Sequence, residues 1–575
     1  MLIIRERLPA APQKIASALA EWRLNFEMRF LRRIAKKQME VGVVSIRFKL
    51  LLTGLIICFH ANQAPAQTIP SAKEWTHVMA LPANKSAAIR AVQPLRGEMF
   101  QLDRAVLQTN YAKIKLAEPA DAKTIGTEID LPMPDGTTAR FSVVEAPVMA
   151  PELAAKFPEI KTYAGQGIDD PQATVRLDVS PAGFHAQVLS PNGAVYVDPA
   201  YQGDAVYHVS YYKRDYAKQF DDWNCQAGSG KTAGKNSGGT GTIISRATAN
   251  KVQSGGTLRT YRLAVACTGE YAAFFGGTVP AAMAAIVAAV NRVDGVYETE
   301  LAVRMVLVGN DDQVVYLNGS TDPYSNTNGA LMLDENQANL DSVIGSANYD
   351  IGHVFSTGGG GVAQLGCVCQ AGAKAQGVTG SSSPNGDSFW IDYVAHEMGH
   401  QFGADHTFNS QNGSCGFGNR NASTAYEPGS GLTIMAYAGI CSPDDLQPHS
   451  DPFFHGISLD EIQAYIASGG GGGCAVSTST GNSAPIVNAG ASYLIPASTP
   501  FFLTASGTDP DGDALTFSWE EMDLGAATAL TAADNGSSPL FRPFVPTASP
   551  VRYFPKLSSV IANTNWNQIL MTSYK

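Results

Sequence analysis

The sequence predicts a multidomain protein in which a mixed α/β domain lies between two β-rich regions. The chain has 575 residues, more than one domain usually contains. Between residues 67 and 225, short alternating runs such as 139–144 are separated by turn pairs such as Asn192 and Gly193, which is typical of antiparallel strands. From Thr257 onward, strand-like runs alternate with helix-like runs, which indicates an α/β sheet.

The charge and hydropathy of the chain exclude two classes of function. Residues 1–49 carry a net charge of +7, so the formal net charge of −11 leaves −18 on the remainder. Nucleic-acid binding needs clustered positive charge, and we therefore exclude DNA and RNA as partners. No apolar run of 18 or more residues follows the first sixty, so we expect no integral membrane domain.

The first 66 residues are predicted to be a signal peptide. A basic pair precedes an apolar run over 50–59, and Ala64 and Ala66 provide the small residues of a cleavage site. A retained membrane anchor is the weaker alternative, because the run is short for a stable span. The basic stretch before it is long, so we expect either a true start at Met39 or an extended n-region. The protein is therefore expected to be secreted, with attachment to the cell surface as a variant of that prediction.

Export places the cysteines where disulfides persist. The chain has eight cysteines, and Cys58 would leave with the signal peptide. The remaining number is odd, so one thiol is expected to have another role. The seven that remain are Cys225, Cys267, Cys367, Cys369, Cys415, Cys441 and Cys474.

Two linkers are predicted to separate the domains. Residues 226–256 are rich in Gly, Ser, Thr and Asn and include four basic residues, so they are expected to be flexible and open to an activating protease. The α/β domain is placed at 257–474, and a second linker at 475–483.

Residues 484–575 are predicted to form an immunoglobulin-like β-sandwich. An alternating strand over 514–519 directly follows Asp509, Asp511 and Asp513. Three aspartates at this spacing could bind calcium together with backbone carbonyls, whereas the alternative is an ordinary acidic turn. Closing strands are not evident before the end of the sequence, so the module is expected to be truncated or incomplete.

The chemistry is carried by the run from His396 to His406. His396 and His400 lie about one helical turn apart and can present both imidazoles to one ion, for which zinc is suited. Glu397 lies beside them, where it can take a proton from zinc-bound water. Gly403 allows the abrupt turn after the helix, which lets His406 complete three protein ligands.

This pattern, HExxHxxGxxH, resembles the signature of the metzincin zinc endopeptidases. The resemblance implies a methionine turn beneath the metal, and Met435 fits that position. Within the clan, residues 257–474 resemble the adamalysin or reprolysin branch in its secreted bacterial form. The C-terminal region is similar to the cadherin-like or polycystin-type repeats of exported bacterial enzymes.

The resemblance also implies disulfide pairings and a zymogen. It pairs Cys415 with Cys441, and Cys474 with either Cys367 or Cys369, which leaves Cys267 for the other. Residues 67–225 resemble a propeptide, in which Cys225 is a candidate latency thiol on the zinc, although its surroundings do not match the known switch motifs.

Two residues depart from the adamalysin pattern. Thr407 stands where an aspartate usually follows the third histidine. Tyr437 is similar to the tyrosine of the astacin and serralysin turn, which implies either an additional zinc ligand and transition-state contact or simple packing. The clan also implies an edge strand that aligns substrate, which we place at 377–380.

These observations predict a secreted zinc endopeptidase, monomeric and made as a zymogen, that hydrolyses peptide bonds by Glu397-assisted attack of zinc-bound water. Its partners would be protein or peptide substrates. The alternative is a catalytically silent metzincin scaffold that serves as a cell-surface adhesion or binding protein. That alternative predicts the loss of Glu397 or of a ligand histidine, and all four residues are present.

Overall fold

The structure is a computed structural model. It describes residues 73–79, 90–216, 254–496 and 499–562. The predicted signal peptide, Cys225 and most of the first linker lie outside the described residues. The chain divides into two compact units, of which the first holds 73–492 and 500–575. Of the second unit, residues 2–72 and 493–499, only 493–496 and 499 are described.

An antiparallel sheet of nine strands forms the N-terminal part of the first unit. The strands are β1 (Trp75–His77), β2 (Glu98–Leu102), β3 (Thr127–Pro132), β4 (Thr138–Glu145), β5 (Lys161–Gly167), β6 (Thr174–Ser180), β7 (Gly183–Leu189), β8 (Val195–Pro199) and β9 (Tyr207–Tyr212). Their order is β1-β2-β9-β8-β7-β6-β5-β4-β3, so β3 to β9 form a meander. Three helices accompany them: α1 (Arg104–Tyr111), α2 (Ala122–Ile125) and α3 (Pro151–Ala154). Phe141, Leu177 and Phe184 anchor a core on one face of this sheet, in agreement with the β-rich prediction.

A second sheet forms the α/β domain. Its strands are β10 (Thr257–Cys267), β11 (Val303–Leu307), β12 (Ile351–Ser356), β13 (Gly361–Ala363), β14 (Gly377–Gly380) and β15 (Val476–Ser479). The order is β11-β10-β12-β14-β13, in which only β13 is antiparallel to its neighbour, and β15 pairs with the start of β10. The helices of this domain are α4 (Gly269–Phe274), α5 (Val279–Leu301), α6 (Gly329–Leu340), α7 (Asp387–Phe389), α8 (Ala395–Gln401) and α9 (Gly456–Ala467).

Helix α5 is the central helix of the unit and is longer than the sequence predicts. The pattern indicates an end near Gly295, but the helix continues to Leu301. A Cβ at Gly295 would lie 2.6 Å from Gln187 Oε1 and 3.0 Å from Arg176 Cγ, so glycine there allows β6 and β7 to approach. Among the described residues, α5 alone is long and apolar enough to cross a membrane, yet 83% of its most apolar window is buried in the protein. Such burial is typical of a core helix.

The predicted immunoglobulin-like sandwich is not confirmed. The described C-terminal residues form two antiparallel pairs, β16 (Ile486–Asn488) with β18 (Ser506–Thr508) and β17 (Phe501–Thr504) with β19 (Val551–Phe554), followed by α10 (Leu557–Ile561). Most of the chain between β18 and β19 has no regular secondary structure, and parts of it bond to the α/β domain. The N–H of Thr528 donates to Asn409 Oδ1 and that of Leu530 to Asp444 Oδ1, both at 2.9 Å. These two backbone groups are satisfied by the neighbouring domain rather than by a partner strand.

The aspartates at 509, 511 and 513 lie in an exposed turn. Asp509 Oδ1 accepts the N–H groups of Asp511 at 2.8 Å and of Asp513 at 3.2 Å, and Asp513 pairs with Lys123 at 2.7 Å. These contacts are those of an acidic turn. Calcium binding there stays a prediction.

Candidate metal centre

One helical segment carries the first two predicted ligands. It begins as α7, passes through a π turn at Trp390–Val394 and continues as α8 to Gln401. Every residue of α8 is buried, and Tyr297 of α5 donates from Oη to Ala395 O at 2.8 Å. The helix is therefore fixed at its base before it presents His396 and His400 on one face.

The turn after α8 brings the third ligand back to the first two. Gly403 has a φ of +97°, a conformation that glycine adopts without a steric penalty. Its N–H donates to His400 O, and the N–H of Ala404 donates to Gly399 O, both at 2.9 Å. The chain then reverses, so that His406 comes to lie beside His400.

The three imidazoles converge on one point. The Nε2 atom of His400 lies 3.1 Å from that of His396 and 3.0 Å from that of His406. All three side chains are buried, with candidate ligand atoms within 4.8 Å of one another. Two imidazole ligands of one tetrahedral zinc ion, each at about 2.0–2.1 Å, would lie about 3.3 Å apart. The spacing and the three-nitrogen donor set therefore fit zinc.

The other ring nitrogen of each histidine faces a backbone carbonyl. The pairs are His396 Nδ1 with Ile434 O at 2.7 Å, His400 Nδ1 with Ala404 O at 2.7 Å, and His406 Nδ1 with Asn419 O at 2.6 Å. A carbonyl can only accept, so Nδ1 carries the proton and the Nε2 lone pair is directed at the metal position. Burial lowers the pKa of both His400 and His406, which favours the neutral form that binds metal.

The remaining predicted residues lie around this triad. Glu397 is fully buried on α8. Met435 packs against the same helix, since a Cβ added to Gly399 would lie 2.4 Å from its Sδ. The Tyr437 ring centroid is 4.6 Å from that of His406 and 5.5 Å from that of His396. The turn that carries Met435 and Tyr437 thus packs against the metal-binding helix and two of the ligand rings.

A buried carboxylate that the sequence analysis missed lies under the third ligand. Glu427 accepts hydrogen bonds from the Thr407 hydroxyl at 2.6 Å and from the N–H groups of Leu432 at 2.8 Å and Thr433 at 3.2 Å. It also accepts the Thr433 hydroxyl. It therefore supplies a carboxylate below the site although position 407 is a threonine. The signal available in the sequence was an isolated Glu in an otherwise uncharged run.

Gln401 links the metal-binding helix to the sheet. Its Nε2 donates to Gly352 O at 2.9 Å, and its Oε1 lies 2.8 Å from His353 Nδ1. His353 Nε2 in turn lies 2.8 Å from Thr379 Oγ1. Burial lowers the pKa of His353 to about 4, so it is a neutral structural link.

The edge strand differs from the prediction. The segment Gly377–Gly380 is β14, and it lies inside the sheet between β12 and β13. The edge is β13, Gly361–Ala363, because the chain reverses after β12 and adds a short antiparallel strand outside β14. The sequence gives little signal for β13, since it is three residues long and follows a glycine run.

The cysteines pair only partly as expected. Cys415 bonds Cys441, and Cys369 is the partner of Cys474. The pairing of Cys267 with Cys367 is wrong, because both are free and buried. Cys267 lies within the main core, whereas the Cys367 sulfur lies 3.6 Å from Gln401 Nε2. Burial raises the pKa of both thiols, that of Cys367 to about 12.

Comparison with known proteins agrees with this site. Residues 257–464, a little over a third of the chain, match the family described as Metallo-peptidase family M12B, Reprolysin-like. A solved structure of metalloproteinase-II from Bacteroides fragilis is similar at 11% identity, covers 62% of this chain and 93% of its own, and gives a TM-score of 0.33. A chaperone-substrate complex is similar at 15% identity over 21% of this chain and 86% of its own, with a TM-score of 0.15. Neither TM-score is high enough to argue from. No curated protein matches the chain.

The fold and the three-histidine centre define a zinc metallopeptidase of the metzincin type. Residues 257–464 are a reprolysin-like metzincin domain, and the protein is accordingly a zinc metalloendopeptidase. The predicted family resemblance and the predicted enzyme class are both confirmed.

Proposed function

We propose that the protein is a secreted endopeptidase, made as a zymogen, that hydrolyses peptide bonds with Glu397 as general base. The observation that carries this proposal is the convergence of three buried Nε2 atoms, with Nε2 separations of 3.0 and 3.1 Å, next to a buried glutamate on the same helix. When bound, zinc would polarise the scissile carbonyl and make water a better nucleophile. The ligands of the zinc ion would be His396, His400 and His406.

The chain's own residues then have distinct tasks. Glu397 takes a proton from the attacking water onto its carboxylate and passes it to the departing amine nitrogen. The carbonyl groups that bind each Nδ1 proton keep the imidazoles oriented throughout. Tyr437, in contact with two ligand rings, is a candidate for hydrogen bonding to the transition state, with packing in the turn as the alternative.

Substrate would be aligned along the outer edge of β13. In the part of the chain that the structure describes, no strand pairs with that edge. An extended peptide could therefore add to the sheet through main-chain hydrogen bonds, which explains how a short strand can bind varied sequences.

Latency is proposed to end when the linker at 226–256 is cut. Cys225 is the candidate latency thiol. If it blocks the metal, then Cys225→Ser should give an uncut chain with measurable activity. A fully latent Cys225→Ser chain would reject this role.

The function is tested by casein hydrolysis with the exported chain after limited proteolysis. We expect activity that 1,10-phenanthroline abolishes and that added zinc restores. Zinc binding without any hydrolysis, over a panel of unfolded proteins, would favour the scaffold alternative instead.

A further inference from the structure

The N-terminal sheet and the α/β domain share one hydrophobic core. Val148 and Leu153, which precede β5, belong to the same buried cluster as much of α5 and β11. The contact includes the backbone: the Leu307 N–H donates to Val148 O and the Ala150 N–H donates to Leu307 O, both at 2.8 Å. Residues 148–150 therefore extend the second sheet beside β11. A contact of this kind is typical of one folded unit.

Charged residues on one face of α5 also pair across this boundary. Arg292, 1% exposed, forms an ion pair with Asp198 of β8 across the boundary and a second one with Asp387 of α7 in its own domain. Six residues further along, Glu298 pairs with Arg176 of β6. Gly295 lies between these positions on the same face, where it allows the sheet to approach. The face is thus complementary to the N-terminal sheet in both shape and charge.

A second buried contact reaches the metal-binding helix itself. Lys213, which follows β9, donates to Asp392 Oδ1 at 3.2 Å. The other Asp392 oxygen lies 2.8 Å from His449 Nδ1, and the Tyr216 ring packs on His449 with 5.3 Å between centroids. Asp392 is one helical turn before His396. The N-terminal sheet therefore helps to fix the segment that presents the ligands.

We propose that residues 90–216, the N-terminal domain, stay bound to the α/β domain after the linker is cut and act as a permanent non-covalent partner of the catalytic domain. Separation would take Asp198 away from Arg292 and Lys213 away from Asp392, and it would expose apolar surface of α5. Removing one partner from a buried ion pair costs free energy. Exposing the shared apolar core to water costs free energy as well. The inference rests on the proposed cleavage of the linker. It implies that cleavage ends latency without the domain leaving.

The test is to insert a specific protease site between residues 230 and 250 of the full chain, with an affinity tag directly after the predicted signal peptide. After complete cleavage, the two fragments are examined by size-exclusion chromatography and native mass spectrometry. We expect a one-to-one complex that survives dilution to nanomolar concentration. Separation of the wild-type fragments at micromolar concentration under native conditions would overturn the proposal.

Two double variants test whether the buried ion pairs hold the two fragments together. The double variant Asp198→Asn/Lys213→Met should weaken the complex at least tenfold. The matched control Arg140→Ala/Asp169→Ala removes an exposed pair within the same domain and should leave it unchanged. Equal weakening by both variants would contradict the role of the buried pairs. Co-elution does not depend on activity, so a stable complex that fails to cut casein would reject the proposed function while leaving the interface intact.

Discussion

The hydroxyl of Thr407 donates to the buried carboxylate of Glu427 across 2.6 Å, directly after the third metal ligand. The same carboxylate accepts two backbone N–H groups from the segment that leads into Met435. One side chain therefore holds together the segment that carries His406 and the turn that carries Met435. Loss of that carboxylate should disturb the metal site although Glu427 itself is not a ligand.

Replacement of Glu427 by alanine is predicted to weaken zinc binding about 10- to 100-fold. It should also lower the free energy of unfolding by about 3 kcal/mol, because several buried donors lose their acceptor. Competition with a chromogenic chelator measures the first effect and urea unfolding the second. The exposed Glu159→Ala is the control and should change neither. A Glu427→Ala protein with wild-type zinc affinity would show that the carboxylate does not support the ligands.

Replacement of Gly399 by alanine is predicted to destabilise the protein. Alanine there would place its Cβ 2.4 Å from Met435 Sδ, and such overpacking costs about 1–3 kcal/mol. We expect a lower thermal unfolding midpoint together with reduced casein hydrolysis. Gly473→Ala, where nothing lies within 4 Å, is the matched control. Equal midpoints for the two variants would mean that the methionine turn can move away freely.

Glu461 is predicted to make the protein less stable as pH rises. Burial, with a further contribution from the Asp405 charge, raises the pKa of Glu461 from 4.5 to about 7. An acid whose pKa is raised on folding stabilises the fold below its unfolded pKa, and that stability is lost as pH rises through the folded value. The window is therefore about pH 4.5 to 7.

Glu461→Gln should remove this dependence. The loss between pH 5 and 8 should be smaller in the variant by up to roughly 3 kcal/mol, measured by urea unfolding with zinc present throughout. Other titrating groups contribute equally to both proteins and cancel in the difference. If wild type and variant lose the same free energy across this range, Glu461 ionises normally in the fold.

Cys267 and Cys367 are predicted to be unreactive thiols in the native protein. Both are buried, which keeps them protonated and inaccessible. Iodoacetamide should label neither under native conditions and both in guanidinium without reductant. Peptide mapping by mass spectrometry separates them from the other cysteines. A disulfide-linked peptide that contains both cysteines would contradict the finding that both thiols are free.

The metal centre could be predicted from sequence because its information is local. His396, Glu397, His400, Gly403 and His406 lie within eleven residues, and helix geometry alone brings the first three together. The positive φ of Gly403 likewise follows from the need to turn the chain at once.

Contacts between distant segments could not be predicted in this way. Glu427 lies twenty residues from Thr407, and nothing in either segment indicates that they meet. The pattern predicts a helix end at Gly295, whereas the glycine instead allows Arg176 of β6 and Gln187 of β7, more than a hundred residues earlier in the chain, to approach. The alternating run 514–519 predicts a strand, but its pairing is a single antiparallel bridge between Phe517 and Thr547, and the later N–H groups of Thr528 and Leu530 bond to the α/β domain instead.

The central claim is that three histidines hold one zinc ion for chemistry that Glu397 performs. The most direct measurement compares wild type with Glu397→Gln for zinc content by mass spectrometry and for casein hydrolysis on the same activated preparation. The account predicts about one zinc per chain in both proteins, with hydrolysis by the variant reduced at least a hundredfold. A Glu397→Gln protein that retains both zinc and near-wild-type hydrolysis would contradict it.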